Sequence, residues 1–116
     1  MNNGSDDRIQ RHGLVIDLVP EMRDEYLRLH AAVWPEVEAA LSAHHVTNYS
    51  IFLVGDTLFA YYEYTGEDHD ADMAGIARDE VTQRWWALTD PCQKAFRATH
   101  PDSGGWQEAR EIWHLR

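Results

Sequence analysis

The amino-acid sequence predicts an α+β fold, one antiparallel sheet with helices packed on a single face. Three observations predict it. Segments of strand-like and helix-like patterning follow one another in the order strand–helix–strand–strand–helix–strand over 116 residues. The two central strand segments are separated only by a short turn at Gly55-Asp56, which makes them an antiparallel hairpin. Hydrophobic residues make up 44% of the chain, enough for one core and one domain at this length.

In order, residues 1–8 (MNNGSDDR) are polar and are expected to form a disordered tail ahead of a single domain over residues 9–116. Residues 11–18 alternate loosely but are rich in aliphatic and β-branched side chains, and form the expected first strand. Residues 20–41 (PEMRDEYLRLHAAVWPEVEAAL) then read as one amphipathic helix that ends near His44. Pro20 suits a first helical position, and Glu21, Asp24 and Glu25 place negative charge near the positive end of the helix dipole. Met22, Tyr26, Leu29, Val33, Val37 and Leu41 recur at spacings of three and four and make one apolar stripe. Pro35 conflicts with this helix. In a helix interior it removes a backbone hydrogen bond and crowds the carbonyl of Ala31, at a cost of ~3 kcal/mol. A kink at Pro35 is therefore expected, serving either a site near His30 and Trp34 or the fit of the helix to a twisted sheet.

Residues 46–53 (VTNYSIFL) form the second strand, with Val46, Asn48, Ser50 and Phe52 on one face and Thr47, Tyr49, Ile51 and Leu53 on the other. Residues 58–64 (LFAYYEY) complete the hairpin. The polar stretch GEDHDAD leads into a short helix at roughly 70–77, and a second helical segment covers about 80–98, with Val81, Trp85, Leu88 and Phe96 as its buried positions. HPDSGG, residues 100–105, is a loop by composition, and residues 107–115 (QEAREIWHL) are the expected last strand. No internal repeat is present. The resulting βαββαβ order is the ferredoxin-like arrangement. So aromatic a sheet needs cover on its second face, and in a chain this short a second copy is the expected cover. That predicts a two-fold homodimer, a dimeric α/β barrel.

Composition narrows the function. A net charge of −10 opposes the phosphate backbone, so nucleic acid is not an expected partner and a neutral or cationic ligand is favoured. No apolar run approaches the ~18 residues of a membrane span, and the start lacks a signal peptide's charge and apolar core. A cytoplasmic protein without a membrane partner is expected. The single Cys92 excludes an intrachain disulfide and a Cys-based zinc cluster, and beside Pro91 it reads as a small buried residue. Five tryptophans and five tyrosines are many for this length, but aromatic faces pack cores, build interfaces and stack on sugars alike.

His30 leads the candidates for chemistry, because imidazole alone titrates near neutrality without help. It follows Tyr26 by four residues on the face turned inward, so the two side chains are neighbours. One turn from a tyrosine the imidazole can hold one tautomer and act as general acid or base. The plainer alternative is a core histidine. Tyr49 sits mid-strand beside Ile51, and its hydroxyl needs a partner or a ligand. Trp85 and Trp86 point about 100° apart if helical, so one packs inward while the other edges a pocket or an interface. Glu67, Asp68, His69, Asp70 and Asp72 combine carboxylates with an imidazole, as divalent metal sites do, but a solvated loop and acidic helix start is the plainer reading, and no metal is expected. His44 and His45 follow a helix end, where a protonated imidazole interacts well with the dipole.

Taken together, Tyr26, His30, Trp34-Pro35-Glu36, Asn48-Tyr49, Gln83-Arg84-Trp85-Trp86 and Thr89-Asp90 resemble the L-rhamnose mutarotase family, from about residue 11 to 115. The blocks Y-x-x-x-H-x-x-x-W-P-E, N-Y-x-I and Q-R-W-W carry the resemblance by their order and spacing. It implies a dimeric α/β fold, no cofactor, and interconversion of the α and β anomers of a 6-deoxy-hexose such as L-rhamnose. It also implies His30 as proton donor and Tyr26, Tyr49, Trp85 and Trp86 as sugar-binding residues. Opening a pyranose hemiacetal needs one proton delivered to the ring oxygen and one removed from the anomeric hydroxyl, and positioned acid–base groups supply roughly 10²–10⁴-fold for such steps. The chain departs from the family pattern at Ala31-Ala32, at Pro91-Cys92-Gln93 and in the tail through Trp106, so L-fucose or a related sugar is an alternative substrate. A cofactor-free oxygenase on a dimeric ferredoxin-like barrel is the alternative from another enzyme class. A non-enzymatic binding domain with a structural His30 is the third.

Overall fold

The computed structural model describes residues 9–98 and 105–116, so the tail expected over residues 1–8 and most of the loop expected at 100–105 lie outside the described residues. Strand β1 spans Gln10–Leu18. A 3₁₀ turn at Pro20–Met22 leads into helices α1 (Arg23–His30) and α2 (Pro35–Ala43). The hairpin is β2 (Val46–Val54) and β3 (Thr57–Tyr64), followed by α3 (His69–Arg78) and α4 (Glu80–Thr89). After a 3₁₀ turn at Asp90–Cys92 come the short strands β4 (Gln93–Lys94) and β5 (Gln107–Ala109).

All pairings are antiparallel, in the order β2-β3-β1-β4 with β5 also on β1. β3 lies along β1 from Gln10↔Tyr64 to Asp17↔Thr57. On the opposite edge of β1, β4 pairs at Asp17 and Leu18, and β5 pairs at Gly13, Leu14 and Val15. The ferredoxin-like order is thus present, with the place of the last strand divided between β4 and β5. The β2–β3 link is Gly55-Asp56, and Gly55 takes φ 59°, which glycine adopts without a Cβ penalty.

The single helix expected over residues 20–41 is two helices. After His30 the backbone bonds tighten, with Ala32 N–H reaching Leu29 carbonyl at 3.3 Å, and Trp34 is extended at φ −65°, ψ 132°. The residue before a proline avoids the helical region, and Pro35 then opens α2 at a position where its missing N–H costs nothing. The chain breaks rather than kinks, so the interior-proline penalty does not arise.

Two further expectations are corrected. The helix expected over 80–98 stops at Thr89, ahead of Pro91, and its buried face is Thr82, Trp85 and Thr89; Leu88 is 43% exposed and Phe96 is half-buried in a later turn. The last strand, expected over 107–115, pairs only at Gln107–Ala109. Beyond it the chain is irregular and is tied back to β1 by Arg11, whose guanidinium donates to both carboxylate oxygens of Glu111 at 3.2 and 3.1 Å.

The expected face assignment of β2 also fails at one end. A bulge between Thr47 and Ser50, with Asn48 at φ 49°, shifts the alternation. Val46 therefore joins the helix-facing side with Tyr49 and Ile51 instead of opposing them. Asparagine tolerates this left-handed conformation, and the Asn48 amide is held by Glu63 at 2.7 Å.

The helix-facing side of the sheet supplies Ile16, Leu18, Leu58, Tyr62 and Tyr64 to the core, against Tyr26, Leu29, Val37, Ile76 and Trp85 of the helices. The other side is open. Phe52, Val54 and Phe59 are 59%, 68% and 44% exposed, and Phe52 faces Phe59 across the hairpin.

Candidate active site

A cleft between the sheet and the helices contains two adjoining chambers of about 410 and 200 Å³. His30, Tyr49, Ile51, Trp85 and Trp86 line both. The larger chamber is aliphatic, walled by Val33, Val37, Leu41 and Met73 among others. Tyr26, Asp90, Gln93 and Trp106 make the smaller one more polar.

His30 owes its position to the end of α1. In the last turn of a short helix, its side chain reaches back over the preceding turn, and Nδ1 lies 3.1 Å from the carbonyl of Tyr26. A carbonyl only accepts, so Nδ1 carries the proton and the neutral ring keeps its lone pair on Nε2. Nε2 takes no protein hydrogen bond among the described residues and is not a buried orphan, so it opens to the cleft. Burial lowers the imidazole pKa, partly offset by the bond to Tyr26. The resting ring is therefore neutral at pH 7. The Tyr26 ring stacks on it at 4.1 Å and the Trp85 indole meets it edge-on at 5.3 Å.

Tyr26 is 2% exposed, and burial holds its hydroxyl well above the usual phenol pKa, so it stays protonated; the Gln93 side chain bonds it. Tyr49 has its ring open to the cleft, 41% exposed, while the surrounding protein still raises its hydroxyl's pKa. The tryptophan pair divides as the helix geometry requires. Trp85 is buried among Leu29 and Val37 and packs edge-on against Trp34 at 5.2 Å, while Trp86 is 38% exposed on the cleft wall.

All five residues singled out for chemistry and sugar binding thus lie around the smaller chamber. Gln93, one of the departures from the family pattern, falls inside the overlong helix on periodicity alone; Pro91 is the signal that the helix has ended. A second aromatic cluster was not foreseen. His12 stacks on Tyr62 at 4.8 Å and on His69 at 4.3 Å, and the Tyr62 hydroxyl bonds His69 Nε2 at 2.7 Å.

The acidic stretch 67–72 serves the fold. Asp68 caps α3 by accepting from the Ala71 N–H at 3.1 Å, and Asp72 accepts from the Tyr64 hydroxyl. Among the described residues no three His, Cys, Asp or Glu side chains converge as a metal site would require. His44 donates Nδ1–H to the Ala40 carbonyl at 2.8 Å, closing the end of α2.

The sequence profile of the L-rhamnose mutarotase family matches residues 11–115. The chain belongs to this family. An L-rhamnose mutarotase of Listeria monocytogenes serotype 4b is 40% identical over 109 residues, covering 92% of this chain and 99% of the relative. That of Oceanobacillus iheyensis is 33% identical over the same shares, and that of Shigella flexneri 35% over 107 residues, 90% of this chain and 97% of the relative. Among solved structures, an L-rhamnose mutarotase from Formosa agariphila superposes with a TM-score of 0.68 at 22% identity, over 92% of this chain and 99% of that one. A dimeric ferredoxin-like protein from an uncultured marine organism gives 0.57 at 13%, over 96% of each chain. At these identities the two structures speak for the fold, and family membership displaces the oxygenase alternative.

Proposed function

We propose that the chain is an isomerase that interconverts the α and β anomers of a 6-deoxy-hexose, L-rhamnose first among candidates, with His30 as the proton-transfer group. The observation that carries this reading is the fixed tautomer of His30, which presents an uncommitted Nε2 to a tyrosine- and tryptophan-lined chamber. Nε2 takes the proton of the anomeric hydroxyl while the bond between the anomeric carbon and the ring oxygen breaks, leaving an open-chain aldehyde. The imidazolium returns that proton to the former ring oxygen. Rotation turns the other aldehyde face to this oxygen, and the reverse transfers close the ring as the other anomer. Protons balance, so His30 acts in turn as acceptor and donor and no cofactor is called for.

Tyr26 and Tyr49, both held as phenols, donate to sugar oxygens, and Trp85 and Trp86 supply apolar faces to the ring and its C6 methyl. L-fucose is the alternative substrate, since Gln93 and Trp106 border the chamber at positions where the chain departs from the family pattern. Saturation transfer between the anomer signals of L-rhamnose and L-fucose tests the assignment. Exchange above the uncatalysed rate is expected for at least one; none for either overturns it.

The working unit is a homodimer in which a second copy covers the open sheet face. Val15 opposite Phe59, and Phe59 opposite Phe52, give that face a continuous apolar strip, and the exposed Ile112, Trp113 and Leu115 add to the surface that needs cover. One free and buried cysteine suits a cytoplasmic setting.

A further inference from the structure

We propose that Asp90 is a specificity-determining residue whose carboxylate accepts hydrogen bonds from two adjacent ring hydroxyls of the sugar other than the anomeric one. The proposal rests on the mutarotase reading and names the part of that site that selects the sugar.

Asp90 is an exposed carboxylate on the wall of the smaller chamber. It is the residue that caps the C-terminal end of α4, where the helix dipole is negative and a carboxylate is disfavoured. Its side chain has no hydrogen bond or ion pair among the described residues, and neither arginine nor lysine lines either chamber. Five other carboxylates gain partners: Asp17 is bonded by Thr57, Glu63 by Asn48, Asp72 by Tyr64, Asp79 by Thr82 and Glu111 by Arg11. Those five titrate below the usual carboxylate range, whereas partial desolvation at the cavity wall holds Asp90 above it. A carboxylate on that wall with no partner among the described residues is free to accept from a ligand.

The geometry says what would satisfy it. Asp90 shares the smaller chamber with His30. At about 200 Å³ the chamber lies below the ~300 Å³ at which drug-sized ligands begin, which suits a single sugar ring. With the anomeric hydroxyl at Nε2, the ring leaves the hydroxyls of C2, C3 and C4 for other partners. A carboxylate has two oxygens and only accepts, the complement of a vicinal diol. Any adjacent pair among these hydroxyls includes that of C3.

The test measures binding and anomer exchange of L-rhamnose and its 2-, 3- and 4-deoxy analogues by the intact enzyme and its Asp90→Ala and Asp90→Asn variants. Asp90→Ala is expected to weaken L-rhamnose binding roughly 10- to 100-fold, the worth of a hydrogen bond to a charged group, and to raise KM with kcat changed only a few-fold. The isosteric Asp90→Asn should fall between. The 3-deoxy sugar should bind parent and Asp90→Ala with nearly equal affinity. Unchanged affinity of both variants for L-rhamnose, or an equally large loss for the 3-deoxy sugar, overturns the assignment while leaving the mutarotase reading intact. A parent enzyme that neither binds nor exchanges any 6-deoxy-hexose overturns both.

Discussion

The imidazole of His30 stacks on the ring of Tyr26 with centroids 4.1 Å apart while donating from Nδ1 to that residue's own carbonyl at 3.1 Å. Side chain and backbone of one residue thus fix both the tilt and the tautomer of the imidazole one helical turn on. His30→Ala is expected to slow anomer exchange by at least ~10²-fold, the lower end of what a positioned acid–base group supplies. Its fold and assembly should persist. Tyr26→Phe should do milder damage, on the order of the ~1 kcal/mol of one hydrogen bond, since the carbonyl that holds His30 remains. Saturation-transfer rates on L-rhamnose and L-fucose check both, and a folded His30→Ala enzyme exchanging at the parent rate would make His30 a packing residue.

The pH profile follows from the lowered pKa of His30. In the proposed mechanism the neutral ring starts the reaction, so exchange per enzyme should be level through neutrality and fall as pH drops through a value below the ordinary 6.5. The same shift bears on stability. The unfolded chain binds this proton more readily than the folded one, so stability is lost as pH falls from about 6.5 through the lowered value, and none is lost above it. A parallel titration of His30→Ala should lack that part of the pH-dependent change in melting temperature.

Assembly can be read directly. Light scattering at micromolar concentration should report twice the 13.4 kDa chain mass. A carboxylate placed in the apolar strip, Phe59→Asp, should shift the equilibrium toward the single chain, since an unpaired charge would be buried there. A parent protein that scatters as a monomer removes the homodimer.

Gly75→Ala reverses a common rule. In a helix interior the change usually stabilises by up to ~1 kcal/mol. Here a Cβ would stand 2.5 Å from Nε2 of His44, whose Nδ1–H is already committed to Ala40. Overpacking at a site that cannot yield costs ~1–3 kcal/mol, so net destabilisation is expected in thermal melts.

Exhaustive chelation should leave exchange unchanged. Asp68 and Asp72 already cap α3 and bond Tyr64, and the chemistry proposed is proton transfer alone. Loss with EDTA, restored by one divalent ion, would give the 67–72 stretch a different role.

Much of this architecture was legible because it rests on local periodicity. The Gly55-Asp56 hairpin and the pairing of Tyr26 with His30 follow from spacings of two and four. The break after His30 was not legible, since the apolar stripe stays in phase across it, and Pro35 looks the same inside a kinked helix as at the start of a new one. The bulge at Asn48 cost the face assignment of Val46, because parity arguments assume an unbroken strand. Gln93 and Trp106 reach the cleft through the pairing of β4 and β5 with β1, contacts between residues 70 to 100 positions apart that no local pattern encodes.

That long-range pairing has a consequence for how the enzyme comes into being. While the chain is being synthesised, β1, β2 and β3 can pair once residue 64 has emerged. The edge of β1 that takes β4 and β5 stays vacant until the last fifth of the polypeptide arrives. Contacts of such sequence separation form slowly, because the loop entropy is lost before the pairing rewards it. Trp106 therefore closes the chamber late, so that a nascent chain already carrying His30 and Tyr26 completes the wall around them only when its C-terminal end has docked.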